Sequence, residues 1–194
     1  MGSPMKLAIA DPPYLGRAAR CYGKEGCGEG YGAGKADEHP EAYLWDLPQT
    51  HIDMVAELEK NYDGYAIALT VHSLSTYLSV IETDSRNGIR VMAWVKPIAV
   101  PSGNRIATTW EPVIVKVPKE RRGHGKGKSM KDNLVVNPPQ NGFIGAKPAA
   151  WTEWVLDAMG YQAGDEVIDI FNGSGAVSQA IADLTYKLDY GISL

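Results

Sequence analysis

The chain carries only two cysteines, Cys21 and Cys27, so no disulfide framework supports it. They bracket part of a glycine-rich stretch, CYGKEGCGEGYGAGK, with His39 further on. A Cys-x5-Cys spacing is not a recurrent zinc arrangement, and no second ligand pair accompanies it, so two reduced thiols and no metal are expected. Long apolar runs are missing too: nothing approaches the roughly 20 residues of a membrane span. The start also lacks the charged-then-apolar pattern of a secretory signal, which leaves a cytoplasmic protein as the expectation. Met1, Gly2, Ser3 and Pro4 stand ahead of a second methionine and read as residues added before a native start at Met5. Positive charge is not in excess: the formal net charge of −4 argues against affinity for nucleic acid over the whole surface.

Within that acidic balance one segment stands apart. Residues 116–131, KVPKERRGHGKGKSMK, hold seven Lys or Arg against the single Glu120. A charge run is often only a solvated face, but interspersed glycine and histidine make a basic loop that could follow a phosphate backbone. The candidates for such contacts are Lys119, Arg121, Arg122, Lys126, Lys128 and Lys131.

The composition, 44% hydrophobic and 22% charged over 194 residues, suits one α/β domain with a real core. Apolar runs predict strands at 6–10, 64–71, 89–97, 112–117, 166–171 and 188–194. Three- to four-residue apolar spacing predicts helices in THIDMVAELEKNY after Pro48, in SLSTYLSVIETDS opened by Ser73, in PAAWTEWVLDAMG closed by Gly160, and in AVSQAIADL. Alternation of the two implies a largely parallel sheet covered on both faces. Two long connections, 15–47 and 118–146, break the pattern, and connections of that length in a compact domain are usually functional or disordered. Both are expected to leave from, or near, the carboxyl-end side of the sheet, where ligands bind in open α/β folds.

Two stretches carry chemistry. In KLAIADPPYLGRAAR a buried-looking strand ends in Asp11, Pro12, Pro13 and Tyr14; the two prolines remove two amide donors and stiffen the strand end. In GDEVIDIFNGSGAVSQAIA an apolar strand runs into Asp169, Phe171, Asn172, Gly173, Ser174 and Gly175, and a helix follows at once. Glycines at a strand-to-helix turn admit positive φ and let a ligand approach the backbone, while the helix start offers free amides. The spacing is neither the dinucleotide fingerprint nor a phosphate loop with its Lys-Ser/Thr. Asn137-Pro138-Pro139-Gln140 ends in Gln rather than an aromatic residue and reads as loop.

Taken together these stretches resemble the amino-group DNA methyltransferases. ADPPY matches their catalytic Asp/Asn/Ser-Pro-Pro-Tyr/Phe/Trp motif, and DIFNGSGAV matches their Asp-x-Phe-x-Gly-Ser-Gly cofactor motif. AWVKP followed by SGNRIATTWEPVIV is similar to their late-sheet Trp-x-Lys strand, Arg and Glu, and AKPAAWTEWVLDAMGYQAGDEVID to the Lys-Pro helix before the cofactor strand. The order, catalytic motif first, resembles the circularly permuted β-class enzymes, and the short chain resembles those of bacteriophages.

The resemblance implies a single domain over 1–194 with a Rossmann-like, circularly permuted S-adenosylmethionine-dependent methyltransferase sheet. It implies transfer of a methyl group to the exocyclic N6 of a flipped-out adenine in DNA, in a bacterial or phage-infected cytoplasm. Asp11 and the Pro12 carbonyl would accept hydrogen bonds from the amine, Pro13 would hold that carbonyl rigid, and Tyr14 would stack on the base. Cofactor contacts would come from Asp169, Phe171, Asn172, Gly173, Ser174 and Gly175, from Lys147 and Pro148, and from Asp11 beside the methionine ammonium. An acid that holds the ribose is expected further on, where YKLDYGISL places Ser193, with Asp189 four residues earlier. The segment 118–146 would serve target recognition, with short or relaxed sequence specificity, and the glycine-rich loop at 21–34 could fold over the base. Alternatives within the resemblance are an RNA adenosine-N6 or cytosine-N4 enzyme, and a catalytically idle homologue. A homodimer or a completing partner subunit is compatible with each.

Overall fold

The computed structural model describes residues 3–23, 38–84, 86–97, 106–123, 129–139 and 145–190. Its strands are β1 (Lys6–Ala10), β2 (Gly64–Ala68), β3 (Ile89–Val95), β4 (Trp110–Lys116), β5 (Asn133–Val135) and β6 (Glu166–Asp169). They form one sheet in the order β5-β3-β4-β2-β1-β6. The helices are α1 (Ala18–Tyr22), α2 (Pro48–Asn61), α3 (Leu74–Leu78), α4 (Ala149–Met159) and α5 (Ala176–Asp189). No helix among the described residues is long and apolar enough to cross a membrane.

β1 pairs in parallel with β2 on one side and with β6 on the other, and β3 pairs in parallel with β5. β4 is the exception to the expected parallel sheet: it lies antiparallel to both β2 and β3. A parallel return would need a crossover, and among the described residues between β3 and β4 there is no helix to make one.

Both faces are covered, which explains why Leu7, Ala8, Ile9 and Ala10 are all fully buried. On one face Leu7, Ile9, Ala66, Met92 and Val113 pack with Trp151, Val155, Leu156 and Met159 of α4 and with Val177 and Leu184 of α5. On the other face Ala8, Tyr65, Ile67 and Ile114 meet Met54, Val55 and Leu58 of α2 and Tyr77 of α3. Each fully buried aliphatic side chain of this kind contributes about 1.5–3 kcal/mol. Gly160 ends α4 in the left-handed region at φ 72°, as a C-terminal glycine should.

Two expectations about elements are corrected. The strand expected at 188–194 is not formed by its described part, since Leu188 and Asp189 are the last residues of α5. The connection 15–47 contains α1 and a 3-10 turn at Ala42–Asp46, and it is not a structureless loop throughout. The Asp46 carboxylate accepts the Ala18 and Ala19 amides, both at 2.9 Å, and so caps α1 from a distance.

Candidate active site

β1 and β6 are neighbours in register, Ile9 facing Asp169, and the Ile170 amide donates to the Ile9 carbonyl at 2.9 Å. The two acidic turns, encoded near opposite ends of the chain, therefore emerge side by side at the carboxyl ends of parallel strands. Asp11 leaves β1, buried Pro12 follows, and the turn closes when the Arg17 amide donates to the Tyr14 carbonyl at 2.9 Å. Among the described residues nothing donates to the Pro12 carbonyl, which stays an acceptor for a ligand.

Lys147 organises this corner. Its side chain is 1% exposed, and its ammonium donates to Asp11 Oδ2 at 2.6 Å, to the Tyr14 hydroxyl at 3.2 Å and to the Gly145 carbonyl at 3.0 Å. Asp11 Oδ1 receives no donor from the described residues and remains open. The Tyr14 hydroxyl donates in turn to Glu111 Oε2 at 3.0 Å, and the Lys96 ammonium pairs with Glu111 Oε1. Buried Trp94 lies beneath both cations, with Lys96 4.5 Å and Lys147 5.7 Å from its ring.

Burial pushes the Asp11 carboxyl above its ordinary value; Lys147 opposes this, and the charges of Glu111 and Asp169 add to the rise. Burial first, and then Glu111 and Asp11, push the Tyr14 hydroxyl well up, so it stays a protonated donor.

At the end of β6 the Ser178 hydroxyl donates to Asp169 Oδ2 at 2.7 Å, with Asn172 Oδ1 3.0 Å from the same hydroxyl. Asp169 Oδ1 is buried without a hydrogen-bond partner. Burial raises this carboxyl too, against the Ser178 hydroxyl and the Phe171 and Ser178 amides. The following turn holds Gly173 at φ 41° and Gly175 at φ 75°, leaves Asn172, Gly173 and Ser174 exposed, and has open space where a Gly175 side chain would point. An orphaned buried acceptor beside an open glycine turn suits a ligand that brings amine or hydroxyl donors. The Phe171 ring meets Trp45 edge-on at 5.0 Å. Trp45 is fixed by His51, which donates from Nε2 to the Trp45 carbonyl (2.8 Å) and accepts the Tyr77 hydroxyl at Nδ1 (2.7 Å). Pro148 is the residue before α4 and accepts the Trp151 amide at 2.8 Å, which sets Lys147 at the mouth of the helix.

Asp11, Pro12, Pro13, Tyr14, Lys147 and Pro148 thus lie together, beside the turn of Asp169, Phe171, Asn172, Gly173, Ser174 and Gly175. Lys119, Arg121 and Arg122 do not join them. Because β4 runs antiparallel, Lys119 and Arg121, in a 3-10 turn after it, stand at the end of the sheet opposite Asp11. This corrects the expectation that the connection 118–146 starts on the carboxyl-end side. Arg121 is held by Asp165 Oδ1 (2.9 Å) and the Gly160 carbonyl (2.9 Å) with 8% of its side chain exposed. Arg122 donates to the Val117 and Arg86 carbonyls, both at 3.1 Å, and lies over Gly88. These two guanidiniums are internal braces, whereas Lys119 and Lys131 are exposed. Lys126 and Lys128, like Cys27, Tyr31, Ser193 and most of the loop at 21–34, lie outside the described residues.

Four residues of the site carried no assigned role in the sequence: Trp45, His51, Lys96 and Glu111. For Lys96 and Glu111 the signal was the Trp-x-Lys strand and the Glu of TWEPVIV, already noted in the resemblance but given no role there.

The six-stranded mixed α/β sheet matches a Rossmann-like methyltransferase fold. Similar solved structures are the M1.HpyAVI–SAM complex, at a TM-score of 0.55 and 16% identity, and M1.HpyAVI, at 0.55 and 17%; each alignment covers 94% of this chain and 78% of the other. No protein-family model and no curated protein matches the sequence.

Proposed function

We propose that the protein is an S-adenosylmethionine-dependent DNA methyltransferase whose acceptor is the N6 amine of adenine. The observation that carries this reading is the meeting of the Asp11-Pro12-Pro13-Tyr14 strand end with the Asp169 glycine turn on adjacent parallel strands. Support for the cofactor comes from the orphaned Asp169 Oδ1, the open turn at Gly173 and Gly175, and the fold shared with M1.HpyAVI, solved in complex with SAM. With the catalytic motif first in sequence, we read the chain as a circularly permuted, compact, phage-like member of the β class.

When bound, S-adenosylmethionine supplies an electrophilic methyl group. Asp169, Phe171 and the 172–175 turn would hold it. The exocyclic amine of adenine is a poor nucleophile because its lone pair is delocalised into the ring. Asp11 Oδ1 and the Pro12 carbonyl are free to accept hydrogen bonds from that amine, and they favour the tetrahedral nitrogen over the planar one. Lys147 holds the other Asp11 oxygen, so the carboxylate is oriented before the base arrives. Tyr14 offers its ring to a base taken out of the stack, a contact worth about 1–3 kcal/mol.

Isothermal titration with S-adenosylmethionine tests the reading. The protein is expected to bind it, and Asp169→Ala to lose at least tenfold in affinity, roughly the value of a hydrogen bond to a charged group. Absence of binding by the folded protein would overturn the proposal.

A further inference from the structure

Glu111 occupies a place where a carboxylate is costly. It stands on β4 opposite Trp94, directly before Pro112 and Val113, and its side chain is only 17% exposed. Two groups compensate it: the Lys96 ammonium on Oε1 and the Tyr14 hydroxyl on Oε2. The Tyr14 hydroxyl also accepts from Lys147, whose ammonium is bound to Asp11. A continuous chain therefore runs Lys96, Glu111, Tyr14, Lys147, Asp11, alternating cation and anion about a neutral phenol.

Tyr14 is thus gripped at both ends. Its backbone follows the stiff Pro12-Pro13 pair, and its hydroxyl is tied to β4, an element remote in sequence. A ring held only at its backbone keeps freedom about its side-chain torsions, and a stacking platform needs one plane. From this geometry we infer that Glu111 is a positioning residue, which acts through the Tyr14 hydroxyl to fix the plane of the ring that receives the target base. Lys96 keeps Glu111 in place. The inference rests on the methyltransferase reading above and adds to it a specific role for Glu111.

The test is a double-mutant cycle on the intact protein, with methyl transfer from S-adenosylmethionine to a DNA duplex as the assay. Glu111→Ala is expected to lower kcat about tenfold, the loss of a hydrogen bond to a charged group at the lower end of its range, with KM for the cofactor unchanged. Tyr14→Phe keeps the ring and removes the hydroxyl, so it should show a similar loss. In the double variant the losses should not multiply, because both remove the Tyr14–Glu111 hydrogen bond; the double variant should be no slower than Tyr14→Phe, which loses the Lys147 contact as well. Glu111→Gln, whose amide oxygen still accepts from the hydroxyl, should recover most of the rate. Losses that multiply, or a Glu111→Ala enzyme as fast as the unmodified one, would overturn the inference while the methyltransferase reading stands. An unmodified protein that transfers no methyl group overturns both. Should Glu111→Ala fail to fold, shown by a lost thermal transition, then a Tyr14→Phe enzyme with full kcat would contradict the inference by itself.

Discussion

At the scale of single residues the site is built on two carboxyls that burial raises above their ordinary value. Asp11 accepts more strongly from an amine when it is ionised, and burial raises its carboxyl against the pull of Lys147, with Glu111 and Asp169 adding to the rise. The rate should therefore fall on acidification at a pH above the ordinary carboxylate range of about 4. Glu111→Ala removes a like charge, so the acid limb of its kcat profile should move to lower pH; a limb that stays in place would contradict the electrostatic link. For Asp169 the sign is worked out for stability. Its folded pKa is raised above its unfolded value, so the folded state binds more protons, and the charge costs stability once the pH exceeds the raised value. Asp169→Asn is expected to raise the melting temperature at neutral pH while it abolishes cofactor binding, and the thermal gain should shrink as the pH is lowered. A melting temperature below that of the unmodified protein at neutral pH would contradict it.

At the scale of elements, the 3-10 turn Ala42–Asp46 is the piece that sequence reading missed and the site depends on. It is bolted to α2 twice, by His51 through the Trp45 carbonyl and by the Thr50 hydroxyl, which donates to the Leu44 carbonyl at 2.6 Å. Burial lowers the His51 pKa, so the fold holds the neutral ring and loses this contribution as the pH falls through about 6.5, the unfolded value. Thermal melting should therefore show destabilisation of the unmodified protein from pH 7 to 5.5 that His51→Gln lacks. Equal slopes for the two proteins would refute this.

The strands β1, β2, β3, β4 and β6 were legible because each is an apolar run, and α2, α4 and α5 because their buried positions recur every three to four residues. The end of α5 was misread: Leu188 and Tyr190 alternate like a strand, but Leu188 also continues the helical series of Ala180 and Leu184. β5, only three residues long, gives no periodic signal at all. Asp11, Tyr14 and Asp169 were legible because each motif is local. The Glu of TWEPVIV was noted, but its contact with Tyr14, like that of His51 with Tyr77, was not legible, since the folded sheet and its helices alone bring these partners together.

At the scale of the whole molecule, the direction of β4 sets where the basic run begins. The start of the basic run lies at the far end of the sheet from Asp11, and two of its arginines brace the fold. Lys119→Ala should accordingly change DNA affinity less than about twofold and leave the salt slope unaltered, where loss of a phosphate contact would reduce its magnitude by about 0.9. A slope reduced by that amount would return Lys119 to the interface. The end of the sheet that carries Asp11, Tyr14, Lys147 and the glycine turn is where base and cofactor are expected to meet.

The most direct test of that account is nucleoside mass spectrometry of DNA and RNA from methylation-deficient cells expressing either the unmodified protein or Asp11→Ala. The account predicts N6-methyladenine in DNA with the unmodified protein and none with the variant. Folded, soluble protein that leaves no methylated base in either polymer would contradict it.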